Sequence, residues 1–117
     1  MNKCDTVVSS EDVPIISGFN PDPTICRVGK DYYLACSSFE YFPGAPIYHS
    51  SDLINWNQIG NIITRRSQFK IKNNNPSTGI YGSTLRYHQG VFYFITTNVS
   101  DHNAGQLLFT ATDPAGP

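Results

Sequence analysis

Thr24-Ile25-Cys26-Arg27-Val28-Gly29-Lys30-Asp31-Tyr32-Tyr33 and Thr84-Leu85-Arg86-Tyr87-His88-Gln89-Gly90-Val91-Phe92-Tyr93 are the two stretches that decide the fold. Thr24-Ile25 matches Thr84-Leu85, and Tyr32-Tyr33 matches Phe92-Tyr93, both at an offset of 60 residues. Further on, Ile47-Tyr48-His49-Ser50-Ser51-Asp52 matches Leu108-Phe109-Thr110-Ala111-Thr112-Asp113 at an offset of 61. Each unit reads strand, hairpin, strand, loop, strand and then a Ser/Thr-Asp turn. An antiparallel unit of about 60 residues has the size of a long-looped propeller blade, and propellers close with roughly 4 to 8 blades. Two units fit here, and the second stops in mid-turn at Asp113-Pro114-Ala115-Gly116-Pro117. The expectation is a truncated all-β propeller of about two antiparallel blades.

Working outward, turn chemistry cuts the chain every 8 to 12 residues, as in sandwiches, barrels and propellers. Strands are predicted at Thr24–Val28, Tyr32–Ser38, Ala45–His49, Gln58–Ile63, Ser83–Tyr87, Val91–Asn98 and Gln106–Ala111. Gly29-Lys30-Asp31 and His88-Gln89-Gly90 read as tight hairpins, with glycine supplying the positive φ. Only Ser51–Trp56 hints at a helical turn, with Asp52 as its cap. Residues 1–13 read as a polar leader. Residues 14–117 form one unit, with blade 1 over about 20–63 and an incomplete blade 2 over about 80–117.

The composition agrees. Charged residues are 15% of the chain, aromatics 13%, and the net charge is −1, so the surplus of clustered Lys and Arg that binds nucleic acid is absent. No apolar run approaches a membrane span, and the N-terminus has no signal-peptide core. Cys4, Cys26 and Cys36 are an odd number without a CxxC pair, so no complete disulfide framework and no metal site is expected. Cys26 and Cys36 read as buried thiols, which favours a reducing, cytoplasmic setting. The sequon Asn98-Val99-Ser100 points the other way, and matters only in a secreted eukaryotic protein. Unpaired sheet edges invite self-association.

Three stretches could carry chemistry. In Gly18-Phe19-Asn20-Pro21-Asp22-Pro23-Thr24, two prolines fix a carboxylate at the head of the first blade strand. Asp22 there either points into an axial cavity or simply caps a turn. Ser37-Ser38-Phe39-Glu40-Tyr41-Phe42-Pro43-Gly44 gathers three aromatics beside one carboxylate, a pattern suited to stacking on sugar rings. Tyr41 and Phe42 are expected to pack beneath that loop, while Phe39 is open to either reading. In Ser77–Tyr87 the repeat sets Tyr81 at the cavity rim near Asp22, after a polar run, Lys70–Asn75, that reads as a mobile surface loop. His49, His88 and His102 show no metal spacing, and Arg65-Arg66 reads as a solvated turn.

Taken together, Asn20–Gly29 with Asp31-Tyr32-Tyr33, Ser38–Gly44, Ile47–Leu53 and Asn55-Trp56 closely resemble glycoside hydrolase family 43, above all its β-xylosidase branch. The resemblance runs from about Pro14 to Pro117. It implies a five-bladed propeller that hydrolyses xylo-oligosaccharides or releases arabinofuranosyl groups with inversion, without a cofactor. It implies that Asp22 is the general base and that Phe39 lines the sugar subsite. Tyr81 is the second lining aromatic, although Tyr81-Gly82-Ser83 replaces the family's aromatic-Ala-Pro. The family's general acid, a Glu, and its pKa-tuning Asp have no counterpart here. Glu11 and Glu40 are the only glutamates, and neither stands at the acid's motif position. The expectation is the N-terminal part of such an enzyme, inactive by itself or at most weakly sugar-binding.

Overall fold

The structure is a computed structural model that describes residues 13–72, 75–101, 103 and 105–116. The polar leader, apart from Val13, and His102 lie outside the described residues. Seven strands form: β1 (Thr24–Val28), β2 (Asp31–Ala35), β3 (Gly44–Ser50), β4 (Asn57–Ile63), β5 (Ile80–His88), β6 (Val91–Asn98) and β7 (Gln106–Ala111). They make two antiparallel sheets, in the orders β1-β2-β3-β4 and β5-β6-β7. The described residues contain no helix, and so none long and apolar enough to cross a membrane.

The internal repeat is a repeat of register. Thr24 pairs with Ala35 and Leu34 with Tyr48; Thr84 pairs with Ile95 and Phe94 with Phe109. The two halves therefore superpose pair for pair. Strands β1 and β5 lie side by side, and the Leu85 amide donates to Thr24 Oγ1 at 3.1 Å. Alternation along each strand then sends one face of each sheet into a shared core. Cys26, Val28, Tyr33, Ala35 and Ile47 come from the first sheet; Leu85, Phe92, Phe94 and Phe109 come from the second. Leu85 is 1% exposed. Leu85→Ala is expected to cost about 2–5 kcal/mol, read from chemical denaturation. A change near zero would mean that the sheets do not share this core.

Local chemistry explains the strand ends. Strand β2 stops at Ala35 rather than Ser38 because the Ser37 amide turns to the Pro21 carbonyl, at 3.0 Å. Strand β5 starts at Ile80 rather than Ser83, because a bulge between those residues keeps the preceding turn within the ladder. Ser51–Asn55 is a bend, not a helical turn. Asp52 Oδ1 accepts from the amides of Ile54 and Asn55 at 2.9 and 2.8 Å, and Oδ2 from Asn55 Nδ2. In the second unit Asp113 Oδ1 likewise accepts from the Ala115 amide.

Those donors hold the Asp52 carboxyl well below the usual carboxylate range, the Asn55 amide foremost. A depressed carboxyl stabilises the fold above its unfolded value of 3.8, and that contribution is lost as pH falls below it. Melting temperature followed from pH 5 downward should therefore drop less steeply in Asp52→Asn than in the parent. Parallel curves would remove Asp52 from the acid response.

Two surface readings change. Asn98 is 4% exposed; its Nδ2 donates to the Lys70 carbonyl and its Oδ1 accepts from the amide and hydroxyl of Ser100. The sequon is thus a buried turn. The run Lys70–Asn75, read as a mobile loop, is fixed at its start by that bond and by Lys72 Nζ on Asp101 Oδ2 at 2.8 Å. Asn73 and Asn74 lie outside the described residues. His49 packs on the Tyr33 ring and pairs with Asp31 at 2.7 Å. Arg65-Arg66 is the exposed turn expected, with the Arg66 guanidinium over the Phe42 ring.

Candidate active site

Asp22 sits between two prolines with φ +50°, a left-handed conformation that aspartate tolerates better than most residues. The turn is fastened to the end of β2. The Pro21 carbonyl accepts from the Ser37 amide, and Ser37 Oγ donates to Asp22 Oδ2 at 2.6 Å. A hydroxyl that close is a charge-assisted partner for a carboxylate and fixes its rotamer. The environment registers the charge. Cys36, fully buried, has its thiol pushed up to about 11 by burial, with the Asp22 carboxylate adding to the shift. Asp22 remains exposed, with one oxygen held and the carboxylate open to solvent.

Phe39 and Tyr81 come together across the two sheets. Phe39 has φ +48° and forms an isolated bridge with Ile80, their amides and carbonyls exchanging two hydrogen bonds of 2.9 Å. The bulge at the head of β5 turns Tyr81 outward. Its hydroxyl donates to the Ser77 carbonyl at 2.8 Å, and its ring meets Phe39 edge-on with centroids 5.3 Å apart. Gly82, next in line, faces Asp22; a Cβ there would stand 3.7 Å from Asp22 Cβ. The base candidate and both aromatic candidates therefore converge on one rim.

Phe39 serves as both packing and wall, since it is only half-buried. Tyr41 and Phe42, expected beneath the loop, are instead exposed at 60% and 38%. The loop's own anchors take the interior: Ser38 Oγ accepts from the Ala45 amide at 3.0 Å, and Ala45 fills the core. Sequence reading missed three contributors. Ser37 carries the bond to Asp22, but a separation of 15 residues obeys no local rule. Gly79 lies so close to the Phe39 carbonyl that a Cβ would meet it at 2.1 Å. Phe19 received no role, yet its ring lies tilted against Phe39 with centroids 5.8 Å apart. Among the described residues, no group of three His, Cys, Asp or Glu could hold a metal ion.

A carboxylate fixed beside aromatic rings can accept a proton from water, and the rings can stack on a sugar face. The family model for glycosyl hydrolases family 43 matches residues 12–117. The chain belongs to family 43. It is 55% identical over 104 residues to a xylosidase/arabinosidase of Butyrivibrio fibrisolvens, a match covering 89% of this chain and 20% of the relative. The structure of a family 43 protein of the Bacteroides ovatus xyloglucan locus superposes with TM-score 0.84 at 52% identity, over 90% of this chain and 21% of that one. A xylan β-1,4-xylosidase of Bacillus halodurans superposes with TM-score 0.81 at 48% identity, over 89% and 21%. The chain thus spans about a fifth of the family 43 relatives it matches, and its two sheets are blades of their propeller.

Proposed function

We propose that these residues form the base-bearing part of an inverting glycoside hydrolase acting on xylo-oligosaccharides. The observation that carries this is the Asp22 carboxylate, held by Ser37 at 2.6 Å on the rim where Phe39 and Tyr81 meet. Asp22 takes the proton of the attacking water, a role worth about 10² to 10⁴ in rate. Phe39 and Tyr81 stack on the apolar face of the terminal sugar and exclude water from its other side. Inversion also needs an acid roughly 6.5 to 9.5 Å from the base. That acid, and the carboxylate that tunes it, are assigned to the part of such an enzyme that these residues do not span. Release of arabinofuranosyl groups is the second reading, favoured by a relative in Bacteroides ovatus that is named as a non-reducing end α-L-arabinofuranosidase.

The test is a chimera in which residues 12–117 replace the matched segment of the Bacteroides ovatus enzyme. It should hydrolyse a chromogenic β-xyloside or α-L-arabinofuranoside. A chimera that melts like its parent but turns over neither substrate would overturn the proposal. The 117-residue chain by itself should show no turnover; hydrolysis by it would mean that another of its carboxylates, Glu40 first to be tested, serves as the acid.

A further inference from the structure

We infer that Ser37 is a positioning residue for the base: it retains Asp22 Oδ2, so that Oδ1 is the oxygen that takes the proton from water. The inference rests on the function proposed above.

The Ser37 hydroxyl has one proton and two acceptors within reach. Asp22 Oδ2 lies 2.6 Å away and the Pro21 carbonyl 3.2 Å away. The carboxylate is the nearer acceptor and the charged one, so it takes the bond. The Pro21 carbonyl already accepts from the Ser37 amide at 3.0 Å. One residue thus grips the turn twice, by its backbone at Pro21 and by its side chain at Asp22. Only the second grip depends on the hydroxyl.

The donor is itself fixed. Ser37 is 1% exposed, two residues past the end of β2, and both its neighbours are pinned. The Cys36 amide donates to the Pro46 carbonyl at 3.2 Å, and Ser38 Oγ accepts from the Ala45 amide at 3.0 Å. Asp22 has need of such a partner. Its χ1 has three staggered wells, and its carboxyl group turns broadly about χ2. Gly82, which faces it, offers no side chain to pack against. A Cβ there would lie 3.7 and 3.8 Å from Asp22 Cβ and Cγ, an ordinary contact that the glycine forgoes.

The two carboxylate oxygens therefore have different tasks. Oδ2 accepts from Ser37, and among the described residues no hydrogen bond reaches Oδ1. As the water oxygen bonds to the anomeric carbon, one water O–H bond breaks and its proton passes to Oδ1. The glycosidic C–O bond breaks in the same step, and the leaving oxygen is protonated by the carboxylic acid that the proposed function requires. Ser37 acts on this step through Asp22 alone.

The test uses the chimera described above. Ser37→Ala should lower kcat about 3- to 10-fold and leave KM unchanged, because a carboxylate released among three χ1 wells reaches the reactive one part of the time. In an Asp22→Asn background the same change should cost no further turnover, since a residue that acts through the base has nothing left to act on. Ser37→Cys fills the site but donates weakly, so it should resemble Ser37→Ala and separates the lost bond from lost packing. Thermal melts check that each variant is folded. Crystal structures give a readout without turnover: Asp22 should hold one rotamer in the chimera and leave it in Ser37→Ala.

An unchanged kcat in Ser37→Ala overturns the inference, as does an unchanged Asp22 rotamer. So does an equal loss in the Asp22→Asn background, or a rise in KM with kcat kept; either would mean that Ser37 acts through the loop that carries Phe39 and not through the base. In each of these cases the chimera still turns over and the hydrolase reading stands. A folded chimera that hydrolyses neither substrate overturns the hydrolase reading, and the positioning role with it.

Discussion

Asp22→Asn in the chimera is expected to lower turnover at least about 10²-fold while leaving the melting temperature almost unmoved. The two halves of that result have separate causes. Asparagine occupies the left-handed region as readily as aspartate, so φ +50° costs nothing new. Its side-chain oxygen can still accept from Ser37 Oγ, so the bond that fixes the rotamer survives. A neutral amide, however, cannot accept a proton from water, and the base is gone. Were Asp22 only a turn residue, turnover would persist with the melt equally unmoved, since asparagine serves in a turn as well as aspartate. Turnover of a chromogenic glycoside, measured beside a thermal melt, separates the two; retained turnover sinks the assignment of the base.

Gly79→Ala should be the most damaging single-methyl change in the molecule. The added Cβ would lie 2.1 Å from the Phe39 carbonyl oxygen and 2.5 Å from its carbon, both rigid backbone. The position also has φ +103°, where alanine is strained whatever the space. Relief requires pulling apart the Phe39–Ile80 bridge and the bond from the Val99 amide to the Gly79 carbonyl, at 2.8 Å. We expect a loss on the order of 3 kcal/mol, with a melting drop of roughly 10 °C or more. Gly90→Ala is the control. Its φ is +84°, but no atom lies within 4 Å of its added Cβ, so strain acts alone and the loss should be about 1 kcal/mol. Similar losses in the two variants would show that the close approach at Gly79 is not what matters.

How far these features could be read from the chain depends on how local their causes are. All seven strands were legible, and three coincide with the prediction end to end, because alternation and turn residues act within a few positions. The repeat was legible too, since equivalent residues keep their types. What escaped was decided at a distance. The early end of β2 follows from Pro21, 16 residues upstream of the Ser37 amide it captures. The early start of β5 follows from a bulge in a stretch whose two glycines read locally as loop. Asp22, Phe39 and Tyr81 were each legible as candidates, but not the Ser37 hydroxyl or the Phe39–Ile80 bridge that gives two of them their positions. The exposure of Tyr41 and Phe42 was misjudged because a loop's aromatics ordinarily pack inward, whereas here Ala45 and Ser38 already occupy that space.

The shared register of the two sheets has a consequence for symmetry. The faces that meet in the core are not equivalent: Tyr33, Ala35 and Ile47 on one side oppose Leu85, Phe92 and Phe94 on the other. Shifted by the offsets of 60 and 61, the first set becomes Tyr93, Ile95 and Leu108, which lie on the outward face of the second sheet at 37%, 39% and 62% exposure. The second set becomes Ile25, Tyr32 and Leu34 on the outward face of the first, Ile25 being 47% exposed. Every unit is thus a plug on one side and a socket on the other. Contacts of this head-to-tail kind are heterologous, with no two-fold axis between units. A stack that obeys the rule adds units in one rotational sense, and it closes into a ring where the rotation per unit allows.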